Sequence, residues 1–137
     1  MPAGDDLLAS ARVAHLATAD REGRPHVVPV CYVWRDGAVY TPVDLKPKRS
    51  HDPRRLRRVR NILENPRAMV VVDRYDEDWT RLAFALVEGE ATILDAGDER
   101  RAAEDALVAK YPQYRALSLS GRPIIRVRAE RIVRWPG

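Results

Sequence analysis

The amino-acid sequence predicts a mainly β domain, built as an antiparallel sheet or barrel with few helices. Three observations carry this. Strand-like runs recur at 13–18, 26–34, 38–43, 68–72, 79–94 and 123–133, six in all. Asp36-Gly37 separates two of them and is a strong hairpin signal. Only three segments read as helices, in the order helix, three strands, basic helix, two strands, acidic helix, last strand. That order does not suit a doubly wound parallel fold.

Each element has its own signals. Asp5 is placed to cap a short helix through Leu7, Leu8 and Ala11. In the first strand Val13, His15 and Ala17 share one face, and Ala14, Leu16 and Thr18 the other. Residues 20–25 are a turn. Pro29 lies inside the long 26–34 run and cannot donate to a ladder, which predicts an edge or a bulge. After the 38–43 strand, residues 44–53 form a loop. Pro53 suits the first turn of a helix capped by Ser50 or Asp52 and running to Glu64. Leu56, Val59 and Leu63 fall on one face of it with Ile62 beside them, and arginines fill the rest. Asn65-Pro66 ends this helix, and Asp73 to Asp78 form an acidic turn. Gly89 marks a bulge or a close approach in the 79–94 strand. Asp98 caps a helix through Ala109, with Ala102, Ala106 and Ala109 spaced to face the core. Tyr111-Pro112 breaks it. In the last strand Ile125, Val127 and Ala129 alternate with Arg126, Arg128 and Glu130.

Composition narrows the function classes. The chain has 137 residues, which predicts a single domain over 1–137. With 45% hydrophobic and 32% charged residues, it is globular rather than disordered. One cysteine, Cys31, excludes an intrachain disulfide framework and a Cys-rich zinc site. His15, His26 and His51 show no two-histidine metal spacing, so no metal is expected. There is no GxGxxG, phosphate loop, HExxH or GxSxG, and no catalytic residue is assigned. The start lacks a basic region followed by an apolar stretch, and no apolar run approaches about 18 residues. A cytoplasmic location without a membrane partner is the expectation.

Charge is distributed unevenly. Residues 46–60 carry eight basic side chains against Asp52 alone, a local balance of +7. Residues 73–105 carry eleven acids against four arginines, a balance of −7. A helix with arginines around most of its circumference repels itself unless an anion offsets it. Its N-terminus adds unpaired N–H groups, and Arg offers bidentate contacts to phosphate or carboxylate. Three readings stand at this point: a solvated basic surface, a site for a phosphate-bearing small ligand, and a nucleic-acid face. Exposed aromatics are not interleaved with the block, which counts against nucleic acid.

Several runs carry a resemblance. Val13-Ala14-His15-Leu16-Ala17-Thr18-Ala19-Asp20 followed by Gly23-Arg24-Pro25-His26-Val27-Val28-Pro29-Val30 resembles the opening of the pyridoxamine 5′-phosphate oxidase-like split barrels. Arg57 to Ala68, with Asn65-Pro66-Arg67, is similar to their basic helix and strand entry. Val43 to Arg49 and Tyr75 to Leu82 resemble the branch of probable coenzyme F420-dependent oxidoreductases. The likeness runs from about Ala11 to Trp135.

The resemblance implies a six-stranded antiparallel split β-barrel that forms a homodimer. It implies FMN or the deazaflavin F420 in a groove between the subunits, with hydride transfer to a small electron-poor substrate. By position, Pro29 and Val30 lie under the tricyclic ring, and Tyr40 and Thr41 stand beside it. Arg57 and Arg58 match the pair that holds the cofactor phosphate. The loop after Thr41 is longer than in the oxidases and carries Lys46, Lys48 and Arg49, which compete for that role. Trp79 and Trp135 are candidate pocket walls, Trp135 from the partner subunit. F420 carries a phosphate and a polyglutamate tail, and the extended basic block suits it better than FMN. A cofactor that performs the chemistry explains why no nucleophile is visible. A non-catalytic cofactor carrier of the same fold is the rival reading, and a nucleic-acid-binding protein using the basic helix is the third.

Overall fold

A computed structural model describes residues 3–43 and 56–137, with side chains from Leu7 onward in the first helix. The helix signals at Ser50, Asp52 and Pro53 and the basic residues Lys46, Lys48 and Arg49 lie outside the described residues; Asp5, expected as a cap, instead lies inside the first helix, which begins at Ala3. The elements are α1 (Ala3–Ser10), β1 (Ala14–Ala19), β2 (Pro25–Val30), β3 (Val33–Arg35), β4 (Ala38–Pro42), α2 (Arg57–Glu64), β5 (Arg67–Arg74), β6 (Ala83–Leu94), α3 (Asp98–Lys110) and β7 (Ile124–Trp135). Among the described residues no helix is long and apolar enough to cross a membrane.

All strand pairs are antiparallel, in the order β2-β1-β5-β6-β7-β4-β3. β2 and β3 are consecutive in the chain yet sit at opposite edges of the sheet. Laid flat, six strand spacings separate those edges by about 29 Å. The Cα path from Val30 to Val33 reaches at most about 11 Å. The sheet therefore curls until its edges meet at Cys31-Tyr32.

This corner corrects the expected strand count from six to seven, because the single 26–34 strand is two. Tyr32 causes the break. Its side chain is fully buried, and its hydroxyl donates to the Leu8 carbonyl. Its backbone N–H leaves the ladder and donates to the Tyr111 hydroxyl at 3.2 Å. The Tyr111 hydroxyl in turn lies 2.9 Å from the Arg12 carbonyl and 3.2 Å from the Tyr32 carbonyl.

The curled sheet buries Leu16, Val39, Val70, Val72, Val87 and Val127 in its interior. α1 places Leu7 and Leu8 in this core, and α2 adds Val59 and Ile62 at the opposite end of β5. Leu63, expected on the inner face of α2, is 55% exposed. Asn61 is buried instead, because its amide Nδ2 donates to Thr18 Oγ1 at 3.1 Å. α3 packs outside the barrel, where Ala103 and Leu107 meet Val33, Ala38 and Tyr40. Its buried face is Arg100, Ala103 and Leu107 rather than the predicted alanine series, and Ala109 is exposed. Leu107 buries more apolar surface than any alanine and sets the helix rotation.

The bulge expected at Gly89 is present, with a register shift between Glu88 and Gly89. A Cβ at this position would collide with the Arg128 carbonyl oxygen. The strand around it is shorter than expected. β6 starts at Ala83, and Trp79–Arg81 form a single 3-10 turn.

No described helix covers the outer face of β2, β1, β5, β6 and the end of β7. Register places Pro29, His15, Val71, Leu86 and Val133 in one row across these five strands.

Candidate functional site

Polar and basic groups converge where α2 meets the β1–β2 turn. Val59 and Ile62 anchor α2 in the barrel, so Arg57 and Arg60 turn to solvent. Leu56 at the helix start provides no side-chain cap, and the first turn holds no acid. The uncapped N–H groups and the two arginines thus leave this end electropositive.

The facing turn is built on Asp20, which is buried. It accepts hydrogen bonds from the backbone of Glu22 at 2.9 Å and of Arg24 at 3.0 Å. Arg24 Nε adds a contact of 2.7 Å. The Arg24 backbone hydrogen bond, helped by the guanidinium, holds the Asp20 carboxyl below the usual range. Asp20 is thereby offset by Arg24 within the turn.

Between turn and helix lies a pocket of about 280 Å³ lined by Asp20, Arg24, Pro25, His26, Arg57 and Asn61. Two buried polar atoms here have no hydrogen-bond partner, His26 Nδ1 and Asn61 Oδ1. A buried polar atom without a partner costs about 1–3 kcal/mol, so such a pocket favours a polar occupant. Arg57, His26 and the helix start offer it N–H groups and positive charge. The residues present fit a phosphate-sized anion.

The sequence-predicted residues are placed as follows. Arg57 and Arg58 open α2, with Arg57 exposed in the pocket wall and Arg58 half-buried. Pro29 and Val30 are neighbours on β2 and take opposite faces: Val30 enters the core and Pro29 is outward. Tyr40 and Thr41 divide in the same way on β4. Tyr40 lies under α3 and donates its phenol to Glu99 at 2.7 Å. Burial, with that bond to Glu99, pushes the Tyr40 hydroxyl up to about 12. Thr41 is 1% exposed, and its Oγ1 has no partner. Trp79, 69% exposed, stands at the β5–β6 tip. Trp135, 48% exposed, pairs in register with Phe84 close to that tip.

The structure thus brings Arg57 and Arg58 together at one end of β5, and Trp79 and Trp135 at the other. The eight residues of β5 separate these ends by about 24 Å. His26, Arg24 and Asn61 were not singled out from the sequence. The sequence signal for His26 was its shared phase with Val28 and Val30, which face inward.

A second concavity, of about 390 Å³, lies on the outer face of β1 and β5. Its floor includes Ala17, Ala19, Ala68 and Met69, with Asn65 and Arg67 also lining it. Arg67 is paired with Glu130 at 2.8 Å.

Comparison with known proteins agrees with this architecture. Many solved structures share the fold, among them the following three. A conserved hypothetical protein from Mycobacterium tuberculosis has a TM-score of 0.76 at 20% identity, over 95% of this chain and 80% of that one. A FAD-binding protein from Mesorhizobium loti has a TM-score of 0.72 at 20% identity, over 95% and 89%. A heme storage protein from Vibrio cholerae has a TM-score of 0.74 at 15% identity, over 94% and 89%. No curated protein matches. The family described as pyridoxamine 5′-phosphate oxidase matches residues 1–136, and the chain belongs to that family.

Proposed function

We propose that the protein is an oxidoreductase that holds a phosphate-bearing flavin-type cofactor, F420 with FMN as the alternative, at the interface of a homodimer. One observation carries the reading: the pocket at the start of α2, where Arg57 and the unpartnered His26 Nδ1 meet at an uncapped helix end. Family membership supports a flavin-type group. The +7 block around α2 supports the more anionic F420. When bound, the cofactor supplies hydride transfer to a small electron-poor substrate. In this reading Arg57 and His26 hold and orient the phosphate, and the outward sheet face excludes water from one side of the ring.

Titration of the purified protein with F420, FMN, FAD and hemin, followed by absorbance and Trp quenching, tests the reading. F420 or FMN is expected to bind. Arg57→Glu is expected to weaken that binding by about 1–3 kcal/mol, the scale of a lost charged hydrogen bond, while leaving unfolding by urea unchanged. Binding of hemin alone, or unaltered affinity in Arg57→Glu, refutes it. Binding of F420H2 without turnover on enones, quinones and nitro compounds favours the carrier reading over the enzyme.

A further inference from the structure

Lysine side chains ordinarily lay their stem on apolar surface and send the ammonium to water. Lys110, the last residue of α3, does the reverse. Its Nζ is buried and has no hydrogen-bond partner. It lies 3.9 Å from the centroid of the Tyr32 ring and 5.3 Å from that of Tyr111. This places the amine at the corner where the sheet edges meet, toward α1 and away from the α2 pocket.

The charged and titratable groups around this amine come from three segments. Arg12, in the link between α1 and β1, stands 4.7 Å from the centroid of the same Tyr111 ring. Its Nη2 donates to the Lys110 carbonyl at 2.9 Å. Cys31 and Tyr32 face the amine from the corner, and Tyr111 from the end of α3. Among the described residues no carboxylate pairs with Arg12 or Lys110. Two cations thus share one ring, and no described carboxylate offsets them. Burial first, and then the Arg12 charge, lower the ammonium to about 8, with Cys31 acting in the opposite sense. At pH 8 about half of the amine is neutral, against under about 1% for an ordinary lysine.

A desolvated lysine beside a second cation is an activated nucleophile, and its surroundings select the electrophile. Nζ is shut off from solvent, so a bulky or charged reagent does not reach it. Carbon dioxide is small, linear and uncharged, and it enters apolar surroundings. Attack of the Nζ lone pair on its carbon forms a C–N bond and breaks one C–O π bond. The ammonium and CO2 become a carbamate, and two protons pass to water. The local charge changes from one positive to one negative. Arg12 is exposed, and its planar guanidinium offers this carboxylate paired N–H donors within reach of solvent.

We propose that Lys110 is a carbon dioxide-binding site, which holds the gas as a carbamate paired with Arg12 at the Tyr32–Tyr111 corner. It does not depend on the cofactor held at α2. The chain has three lysines, Lys46, Lys48 and Lys110, so the site can be read directly. Wild-type protein in carbon-13-labelled bicarbonate and CO2 at pH 8 is trapped with triethyloxonium and mapped by peptide mass spectrometry. The ethyl carbamate is expected on Lys110 at least about tenfold above Lys46 and Lys48, as the neutral fractions require. The α-amine of the chain, ordinarily near about 8, should also be labelled and shows that the trap works. Arg12→Gln should lower the Lys110 label several-fold, since it removes the counter-ion and one cause of the lowered ammonium. In the intact protein a carbamate carbon resonance should be present and should be lost in Lys110→Arg, which keeps the charge. An unlabelled Lys110 beside a labelled α-amine, or equal label on all three lysines, overturns the proposal. Label on Lys110 that Arg12→Gln leaves unchanged overturns the pairing with Arg12.

Discussion

Removing one hydroxyl, in Tyr111→Phe, should loosen the corner that closes the barrel. The Tyr111 hydroxyl accepts the Tyr32 N–H and lies within hydrogen-bond distance of the Arg12 and Tyr32 carbonyls. It has one proton, so it donates to one carbonyl at a time, and the shorter 2.9 Å contact is to Arg12. Arg12 is exposed, so water can replace the hydroxyl there. Tyr32 is fully buried, so its N–H is left without a partner. A buried donor stranded in this way costs about 1–3 kcal/mol, and the lost bond to Arg12 adds about 0.5–1.5 kcal/mol. The ring stays, so no cavity term enters. The expected loss is about 2–3 kcal/mol, or about 8–12 °C in Tm at about 4 °C per kcal/mol for a chain of this size. Urea unfolding followed by circular dichroism measures it, with the m-value unchanged. A loss under about 0.5 kcal/mol would show that water reaches Tyr32 and that the hydroxyl does not hold the corner.

Two further outcomes follow from other contacts. Gly89→Ala forces a methyl group onto the Arg128 carbonyl, a backbone atom that cannot rotate away, and should destabilise by about 1–3 kcal/mol or more in the same urea assay. Lys110 Nζ lies 3.9 Å from the Tyr32 ring centroid and 5.3 Å from that of Tyr111, and burial lowers its ammonium to about 8. Between pH 8 and the unfolded value near 10.5 the unfolded chain binds the extra proton, so stability should rise from pH 8 toward 9.5. Denaturation of Lys110→Met across the same range should lack that rise.

How much of this was legible in the sequence differs by element. Alternation in β1 and β7 separated the two faces correctly, because a half-buried strand has period two. The Asp36-Gly37 turn was legible because it depends on local backbone geometry, both residues adopting positive φ, and the Gly89 bulge because a lone glycine inside a strand marks a close approach, here of the Arg128 carbonyl. The break at Cys31-Tyr32 was not. Both residues fit a strand pattern, and what ends the strand is Tyr111, 79 positions away. The inner face of α3 was misread because a series of alanines is spaced as regularly as the Arg100, Ala103 and Leu107 face that is buried. At the site, the charge of α2 was visible, but the depth of its pocket depends on the β1–β2 turn and on Asn61 reaching Thr18. The division of Tyr40 from Thr41 was legible and was passed over, since adjacent strand residues point to opposite faces.

That division bears on where one binding site can be assembled. Arg57 and Trp135 lie at opposite ends of the barrel, about 24 Å apart along β5, so one chain cannot bring both against one small ring. A site that uses both must take Arg57 from one copy and Trp135 from the other. Mixing two disabled variants separates the cases. In the proposed homodimer, Arg57→Glu chains and Trp135→Ala chains would each give dimers in which both sites carry one lesion. A mixed dimer concentrates both lesions in one site and leaves the other intact. Statistical exchange makes half of the dimers mixed, so about a quarter of all sites should recover cofactor affinity after co-refolding. Isothermal titration reads this as a tight class of sites absent from either parent. No recovery, with exchange verified by a mass-tagged chain, would place both residues' effects within single chains and remove Trp135 from the site.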